Sequence, residues 1–370
     1  MSKVFLGMSG GVDSSVSAVL LKNQGYDVTG VYMKNWSEDL PGMKCPWADD
    51  LADAKSVAVQ LDLDFEVWDF EAAYKQQVVD YMLAEFKKGR TPNPDVMCNE
   101  RIKFKLFYDQ AMARGADYIA TGHYARVGTQ NDATCKTLLR AVDENKDQTY
   151  FLYRMSDLAT QHTLFPVGDM LKPEVKAFAA EHALDVATKK ESMGVCFVGE
   201  VGMQDFLRTY IDLRPGEIRV AETGAVVGFH EGAVFYTLGQ RHGLHLGGGL
   251  PYYVVGKDLD ANIVYVSRDL NHPALWADTL DLEDLHLRDG RTPEDLTQIR
   301  DLKVRLRHRA PLVGVATSCP KKSIATSNQW SESRNEMVTL RFDQPIKRPA
   351  PGQSAVLYAG EICLGGGIIA

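Results

Sequence analysis

The hydrophobic pattern changes character along the chain. Up to about residue 205, short apolar runs alternate with segments in which apolar residues recur every three or four positions. This alternation of strand and helix patterns predicts an α/β domain, a doubly wound parallel sheet with helices on both faces. The predicted strands are 3–6, 27–33 and 64–70, and residues 116–127 are predicted to form a strand and a turn. The predicted helices begin at residue 12 and span 49–61, 71–88 and 99–114.

From residue 217 the pattern changes to β-branched and aromatic runs broken by glycine, which predicts antiparallel strands. Residues 271–300 are acidic and weakly patterned, as expected of a domain boundary, and the sequence beyond them predicts a small β-barrel. The polar segment 317–337 is predicted to be a long exposed hairpin loop. We therefore expect an α/β domain over 1–205, a small β-rich central domain over 206–275 and a C-terminal β-barrel over 276–370.

Composition restricts the partners. The formal charge of −8 over 370 residues argues against indiscriminate nucleic-acid binding, so an RNA partner must meet local basic patches. No segment approaches the ~20 apolar residues of a membrane span, and no signal-peptide pattern opens the chain, so we expect a cytoplasmic protein with no membrane partner. The basic candidates, each of which could also belong to an ordinary solvated face, are Lys87, Lys88, Arg90, Arg101, Lys103, Lys105, Lys303, Arg305, Arg307 and Arg309.

A loop rich in glycine and serine, residues 7–14, separates the first predicted strand from the first predicted helix. It matches neither the Walker A pattern nor the dinucleotide-binding pattern. Its small residues and the free N–H groups of a helix N-terminus favour an anion, although a tight turn without a ligand is the alternative. Asp13 is expected to cap the helix or to orient a metal bound to the anion. The loops at 7–14, 33–48, 89–98 and 121–124 are expected to face one site.

Two of the six cysteines lie in distinctive surroundings, and none of the six forms the C-x-x-C pair of metal knuckles or dithiol motifs. The run 93–99, NPDVMCN, places Asp95 and Cys98 at the start of a helix that also carries cations, which favours a thiolate. Cys196 lies in GVCFVGE, residues 194–200, where a buried core cysteine is the alternative to a reactive one. Cys45, Cys135, Cys319 and Cys363 are expected to be incidental.

The pattern S-G-G-x-D-S at 9–14 resembles the PP-loop ATP pyrophosphatases, which adenylate a substrate and release pyrophosphate. Taken with NPDVMCN, GVCFVGE and the later motifs, the order of motifs resembles the tRNA-specific 2-thiouridylase family of the MnmA type over nearly the whole chain. Those later motifs are TGHYAR (121–126), KDQTYFLY (146–153), LGQRHGL (238–244) and PGQSAVLY (351–358). The resemblance implies ATP-dependent 2-thiolation of the wobble uridine of the tRNAs for lysine, glutamate and glutamine. It also implies Mg²⁺ with ATP, and persulfide sulfur supplied by a relay protein or a cysteine desulfurase.

The resemblance also implies roles for particular residues. Asp95 is the implied general acid or base, Cys98 the nucleophile and Cys196 the persulfide carrier, and the two cysteines form a transient disulfide. The implied ATP-binding residues are Gly7, Met8, Ser9, Gly10, Gly11, Val12, Asp13, Ser14, Met33 and Gly122. The implied tRNA-binding residues are Asn93, Pro94, Asp95, Lys146, Asp147, Gln148, Arg307 and His308.

Three other functions fit parts of this pattern. Another PP-loop adenylating enzyme, of the amidotransferase or argininosuccinate-forming type, would not need the cysteine pair. Sulfur transferases that carry an iron–sulfur cluster usually have C-x-x-C, which is absent here. A non-catalytic RNA-binding protein would bind tRNA without consuming ATP. His123, Gln240 and Arg241 fit either a ligand contact or a purely structural role.

Overall fold

The computed structural model describes residues 1–39, 45–129, 135–189, 203–322 and 336–370. The strands are β1 (Lys3–Gly7), β2 (Asp27–Lys34), β3 (Asp64–Asp69), β4 (Tyr118–Thr121), β5 (Arg126–Thr129), β6 (Lys136–Leu139), β7 (Thr163–Leu164), β8 (Gly216–Val220), β9 (Val226–His230), β10 (Tyr253–Asp258), β11 (Ile263–Ser267), β12 (Trp276–Leu287), β13 (Leu302–Arg305), β14 (Val313–Gly314), β15 (Thr317–Lys322), β16 (Glu336–Lys347), β17 (Ser354–Ala359) and β18 (Ile362–Ile369).

The helices are α1 (Val12–Asn23), α2 (Trp47–Gln60), α3 (Glu71–Tyr74), α4 (Asp80–Lys87), α5 (Pro94–Met97), α6 (Tyr108–Ala113), α7 (Thr149–Leu152), α8 (Asp157–Gln161), α9 (Lys172–Glu181) and α10 (Met203–Tyr210). A π-helical turn, Lys75–Val79, joins α3 to α4, and a longer π-helical segment, Cys98–Phe107, joins α5 to α6. Short 3₁₀ turns lie at Ala233–Phe235, Pro273–Leu275 and Asp295–Gln298. Within the described ranges, no helix has the length and apolar character needed to cross a membrane.

The N-terminal sheet is parallel and buried on both faces. Its order is β3-β2-β1-β4-β7. Side chains alternate between the two faces of a strand, so Val4 and Leu6 pack in one apolar cluster while Phe5 packs in the other. Helices α1 and α9 cover the first face, and the helices between residues 71 and 113 cover the second. This arrangement confirms the predicted doubly wound α/β domain.

The helix that carries Asp95 and Cys98 begins five residues earlier than the sequence pattern predicts. The Asn93 side chain accepts a hydrogen bond from Val96 N at 3.4 Å, and Pro94 occupies the first helical position, which together make a favourable helix start. From Pro94 the helix continues through the π-helical segment to Ala113. Asp95 therefore lies in the first turn, and Cys98 lies one turn further along.

The central domain is a four-stranded sheet of order β10-β11-β8-β9 around its own apolar cluster. The prediction of purely antiparallel pairing is wrong at one position, because β8 and β11 run parallel from Ile263↔Glu217 to Val266↔Val220. The chain crosses over through residues 231–252 between β9 and β10, and this long connection brings β11 to the free edge of β8 in the parallel direction.

The C-terminal domain is a curled antiparallel sheet of order β14-β13-β17-β18-β12-β16-β15, with its apolar cluster inside. The segment predicted to be a weakly patterned boundary, 271–300, contains the long strand β12. A register shift between Ala277 and Thr279 interrupts the alternation of buried and exposed positions, and acidic residues fill its outer face while Leu280 and Leu282 are buried. Because of the register shift and the acidic outer face, the sequence pattern does not indicate strand β12.

The segment 317–337, predicted to be a hairpin loop, begins with strand β15 and ends with the first residues of strand β16. Strand β15 pairs antiparallel with β16 from Thr317↔Arg341 to Lys322↔Glu336, and residues 323–335 lie outside the described part of the chain. The hairpin of β5 and β6 also extends this sheet from the N-terminal domain, since Leu139 pairs with Ile362.

Buried charges join the N-terminal domain to the C-terminal sheet. Arg305 Nη1 lies 2.6 Å from Asp147 Oδ2, and Arg154 Nη2 lies 3.2 Å from Asp284 Oδ2. Arg288, fully buried, donates hydrogen bonds to Met155 O and Thr160 Oγ1. Because a buried ion that loses its partner is strongly destabilising, these contacts hold the two domains in one arrangement.

Candidate active site

The loop between β1 and α1 requires glycine at position 10. Gly10 has φ +72°, and a Cβ there would lie 2.3 Å from the carbonyl oxygen of Asp50, so only glycine fits. Gly11 is the N-cap and has no side chain to accept from the first N–H groups of α1. Those N–H groups have no intrahelical acceptor, which makes the helix start suitable for an anion such as phosphate.

Asp13 does not cap α1, contrary to one of the two expectations for it. Its Oδ1 accepts hydrogen bonds from Lys172 Nζ at 2.6 Å and from Tyr124 OH at 2.8 Å. Lys172 is only 6% exposed and lies at the start of α9. Sequence reasoning missed Lys172 because it is 159 positions from Asp13 and no motif marks it. Tyr124, by contrast, lies in the TGHYAR motif.

A second lysine reaches the same loop. Lys189 Nζ donates to Gly10 O at 3.2 Å and pairs with Asp50 at 2.8 Å and Asp53 at 2.5 Å on α2. The loop has no lysine of its own, and the fold brings Lys172 and Lys189 to its neighbourhood from the end of the domain. They fix the loop to α9 and α2 respectively.

The residues expected to bind ATP lie together at the carboxyl edge of the sheet. A Cβ on Gly7 would lie 2.8 Å from Met33 Cε near the end of β2, and a Cβ on Gly122 would lie 2.7 Å from Ser14 N. Gly122 follows β4, so its backbone packs directly on the start of α1. The structure therefore brings the loops at 7–14 and 121–124 and the end of β2 to one place, as the strand order predicts.

His123 and Lys103 link this edge electrostatically to Asp95. His123 Nε2 lies 3.5 Å from Lys103 Nζ, and its Nδ1 lies 2.8 Å from Thr121 Oγ1. Burial, reinforced by the positive charge of Lys103, lowers the pKa of His123 well below its usual value, so the ring is neutral at pH 7. Burial raises the pKa of Asp95 above its usual value, and the charge of Lys103 opposes that rise only in part.

Cys98 is buried among apolar side chains. It is 2% exposed, within the apolar cluster that also holds Trp36 and Met97, and its N–H already bonds within the helix. The neighbouring Arg101 donates to Gln77 O at 3.0 Å and lies over the Tyr81 ring. Arg101, one of the cations expected near this thiol, is thus held by other partners. Cys196, and with it the expected disulfide, lies outside the described residues.

Two segments that hold residues expected to contact tRNA, 145–151 and 307–309, lie side by side across the two domains. Arg309 Nε donates to Asn145 O at 3.0 Å, and the His308 ring lies 4.6 Å from the Phe151 ring. Arg307 is exposed beside them. Burial, together with the charge of Arg309, lowers the pKa of His308 to about 4, so its ring is also neutral at pH 7.

Two of those residues have structural partners. Asp147 is 1% exposed and pairs with Arg305, so its side chain is part of the domain interface. Gln148 Oε1 accepts from Tyr124 N at 2.8 Å, which ties this loop to the residue that binds Asp13. Asn99 Nδ2 donates to Phe151 O at 3.2 Å, so the Cys98 helix lies directly against the same surface.

Comparison with known proteins gives one consistent result. The chain matches family models described as tRNA methyl transferase HUP domain over residues 2–200, tRNA methyl transferase PRC-barrel domain over 204–268 and aminomethyltransferase beta-barrel domain over 277–369. It is 45% identical to a tRNA-specific 2-thiouridylase MnmA of Lactiplantibacillus plantarum, covering 100% of this chain and 95% of that protein. It is 46% identical to the protein of the same name from Pseudoalteromonas translucida, covering 99% and 97%. A solved 4-thiouridine synthetase–RNA complex with bound ATP is 16% identical, with a TM-score of 0.36 over 56% of this chain and 50% of that one.

The fold and the loop at α1 define a HUP-domain α/β protein that carries two further β domains. Within that class, the chain belongs to the tRNA-specific 2-thiouridylase MnmA family.

Proposed function

We propose that this chain is a tRNA-uridine 2-sulfurtransferase that replaces the 2-oxygen of the wobble uridine with sulfur at the expense of ATP. The observation that carries the proposal is similarity at about 45% identity over the full chain to proteins named tRNA-specific 2-thiouridylase. The packing of Gly122 on the α1 loop, the contact of His123 with Lys103 and the charge interaction of Lys103 with Asp95 support it, because activation and sulfur transfer need neighbouring sites. We assign these steps to a domain over 1–205, with 206–275 and 276–370 as the central and C-terminal domains.

The first step activates the base. The 2-oxygen of uridine attacks the α-phosphorus of ATP, the bond to the β-phosphate breaks, and pyrophosphate leaves toward the start of α1. Asp95 takes the proton from N3 of the ring, which its raised pKa suits because a weaker acid is a stronger base. Carbon C2 then carries AMP, a far better leaving group than oxide.

The residues at the loop fit the triphosphate. The first N–H groups of α1 offer donors, and Gly10 and Gly122 let the backbone of this loop pack closely against Asp50 and Ser14. Within the described residues, no group of three or more acidic, histidine or cysteine side chains is arranged to hold a metal. Mg²⁺ needs only one or two carboxylates together with substrate phosphates, and Asp13 is the carboxylate at this loop.

The second step transfers sulfur. The terminal sulfur of a persulfide on Cys196 attacks C2, and the bond from C2 to AMP breaks. The Cys98 thiolate attacks the Cys196 sulfur, so the persulfide S–S bond breaks and a Cys98–Cys196 disulfide forms. Asp95 returns its proton to N3. Alternatively, Cys98 attacks first and releases sulfide, which then attacks C2. Either route requires a thiol reductant to supply two electrons per cycle.

The partners follow from this chemistry. The substrates are the tRNAs for lysine, glutamate and glutamine, whose anticodon loops present unstacked bases at little cost. The sulfur reaches Cys196 from a relay protein or directly from a cysteine desulfurase. The reaction places the enzyme in the cytoplasm with its RNA substrates.

A thiolation assay tests the proposal. The purified protein is incubated with unmodified glutamate tRNA, Mg-ATP and a persulfide donor, and the digested RNA is analysed for 2-thiouridine by mass. Wild type is expected to form it, and Cys98→Ser and Cys196→Ser are not. The matched control is Cys135→Ser, because Cys135 is exposed and outside the site. Both inactive variants should still release pyrophosphate in the presence of tRNA, since adenylation precedes sulfur transfer.

Two outcomes would contradict the proposal. Pyrophosphate release that needs no tRNA, with no thiouridine from wild type, would indicate an enzyme that adenylates a small molecule. Full activity of Cys196→Ser with the persulfide donor would exclude the persulfide step.

A further inference from the structure

The segment 238–244, LGQRHGL, forms an exposed but well-braced turn in the central domain. Gln240 Oε1 accepts from Thr237 N at 3.0 Å, and its Nε2 donates to His242 O at 2.9 Å. Gly239 and Gly243 both have positive φ, and Leu244 is buried at 5% exposure. The turn is therefore fixed at its base while Arg241 and His242 remain exposed at its tip.

This turn is attached to the chain that leads into the Cys98 helix. Thr237 Oγ1 lies 3.2 Å from Thr91 Oγ1, and Thr91 is two residues before the helix cap Asn93. The C-terminal domain holds the same residue, since Gln353 Nε2 donates to Thr91 O at 2.6 Å. Four residues span at most about 14 Å, so the backbone of Arg241 lies within that distance of Thr237.

Arg241 differs in its partners from the arginines around the Cys98 helix. Arg90, Arg101 and Arg154 each pair with a carboxylate. Among the described residues, the one contact of Arg241 is with its neighbour, whose ring Nε2 lies 3.3 Å from Arg241 Nη2. An exposed guanidinium with no acidic partner, in a chain of net charge −8, is suited to a phosphate group.

We propose that Arg241, oriented by His242, binds a backbone phosphate of the substrate RNA on the central-domain side of the target base. This inference rests on the proposed function. The residues Thr91–Cys98 then lie between two RNA contacts, one at Arg307 on the C-terminal domain and one at Arg241. The RNA is held on both sides of the base that enters the site, so binding at Arg241 fixes position without reading sequence.

The test compares two single-charge variants in the same domain. Arg241→Gln removes the proposed contact, and the control Arg219→Gln removes an arginine that already pairs with Glu217 at 2.5 Å. The dissociation constant for a labelled anticodon stem-loop RNA is measured over a series of KCl concentrations. Arg241→Gln is expected to raise Kd about tenfold at low salt and to flatten the slope of log Kd against log salt by about 0.7 to 0.9, the value for one lost phosphate contact. Arg241→Lys should keep the slope.

The outcomes separate this inference from the function on which it rests. In the thiolation assay, Arg241→Gln should raise KM for the RNA and leave kcat unchanged, because the contact is remote from the reacting atoms. An unchanged Kd and slope in Arg241→Gln, or an equal loss in Arg219→Gln, would overturn the inference, as would a wild type that does not bind the RNA. A wild type that binds RNA with the expected Arg241 dependence but forms no 2-thiouridine would leave the inference standing and refute the proposed function.

Discussion

Asp95 is a residue on which burial and a nearby positive charge act in opposite directions. Burial raises its pKa, and Lys103 lowers it by less. A carboxyl whose folded-state pKa is raised binds its proton more tightly in the folded protein than in the unfolded chain. Its contribution to stability therefore becomes less favourable as pH rises through the window above the usual value of 3.8.

We expect Asp95→Asn to abolish thiolation while stabilising the fold at neutral pH. The amide cannot ionise, so the cost of burying a charge disappears, and the stabilisation should vanish below the usual carboxyl pKa, where the wild-type residue is protonated as well. Urea unfolding of both proteins at pH 7 and at about pH 3.5 measures this difference. If wild type and Asp95→Asn were equally stable at both pH values, burial would not destabilise the ionised Asp95 carboxylate.

At this scale, the sequence motifs predicted which residues approach the site but not what holds them. Gly7, Met33 and Gly122 lie together as expected. Lys172 could not be predicted, because its contact with Asp13 exists only after α9 packs on α1, and buried lysines follow no local pattern. Asp147 was expected to contact tRNA, and its side chain is buried in an ion pair with Arg305.

Lys172→Met should weaken both the fold and ATP binding. The substitution leaves Asp13, whose side chain is 32% exposed, without its ion partner, and we expect a loss of about 1–2 kcal/mol after discounting for that exposure. KM for ATP should rise because α1 is no longer fixed to α9. Combining Lys172→Met with Asp13→Asn should cost less stability than the two single losses added together. Additive losses would mean that the two side chains do not interact.

The start and the π-helical part of the helix from Pro94 to Ala113 were not predicted from the sequence. Its periodicity predicts a helix, but the apolar pattern begins after the proline and so places the start too late. The π-helical stretch Cys98–Phe107 has hydrogen bonds between residues five apart instead of four, and such segments frequently occur at functional sites. The sequence predicts only a helix here and does not distinguish the two helix types, although Ile102, Phe104 and Phe107 are all buried.

Burial of Cys98 within this element predicts slow reaction with thiol reagents. In the protein without substrates, Cys135 and Cys319, which are exposed, should be alkylated first, and Cys98 about 100-fold more slowly, as expected for an opening cost of ~3 kcal/mol. Peptide mass mapping after timed alkylation measures each site. Adding tRNA and a non-hydrolysable ATP analogue should change the rate at Cys98 alone among these three. Rapid alkylation of Cys98 in the isolated protein would contradict its buried position.

At the scale of the whole molecule, the three regions could be predicted from the change in hydrophobic pattern. A parallel sheet is buried on both faces, whereas an antiparallel sheet is commonly buried on one, so their strands have different patterns of apolar residues. The contacts between these regions could not be predicted from the sequence. The pairing of Leu139 with Ile362 and the burial of Arg288 depend on distant partners that no local pattern records. The parallel pairing of β8 and β11 also depends on residues that are distant in sequence, so it could not be predicted either.

Arg305→Met should destabilise the whole molecule by about 3 kcal/mol, because it leaves the fully buried Asp147 with a weaker set of partners. The midpoint of urea unfolding measures this loss. Arg305→Met combined with Asp147→Asn should recover part of it, since the unpaired charge is then removed. Arg219→Gln, in an exposed pair, is the control and should change the midpoint little. A double variant no more stable than Arg305→Met would show that packing, and not charge, dominates this interface.

The contact between Arg90 Nη2 and Ile369 O joins residues 279 positions apart, and Thr91 N donates to Pro351 O beside it. Ribosomes add about 5 to 20 residues per second, so the approach to the Cys98 helix stays incomplete for roughly 15 to 55 s after Arg90 has been synthesised. A nascent chain therefore passes through translation with an unfinished sulfur-transfer site. The approach to the Cys98 helix is thus completed only once the C-terminal domain has been synthesised and has folded.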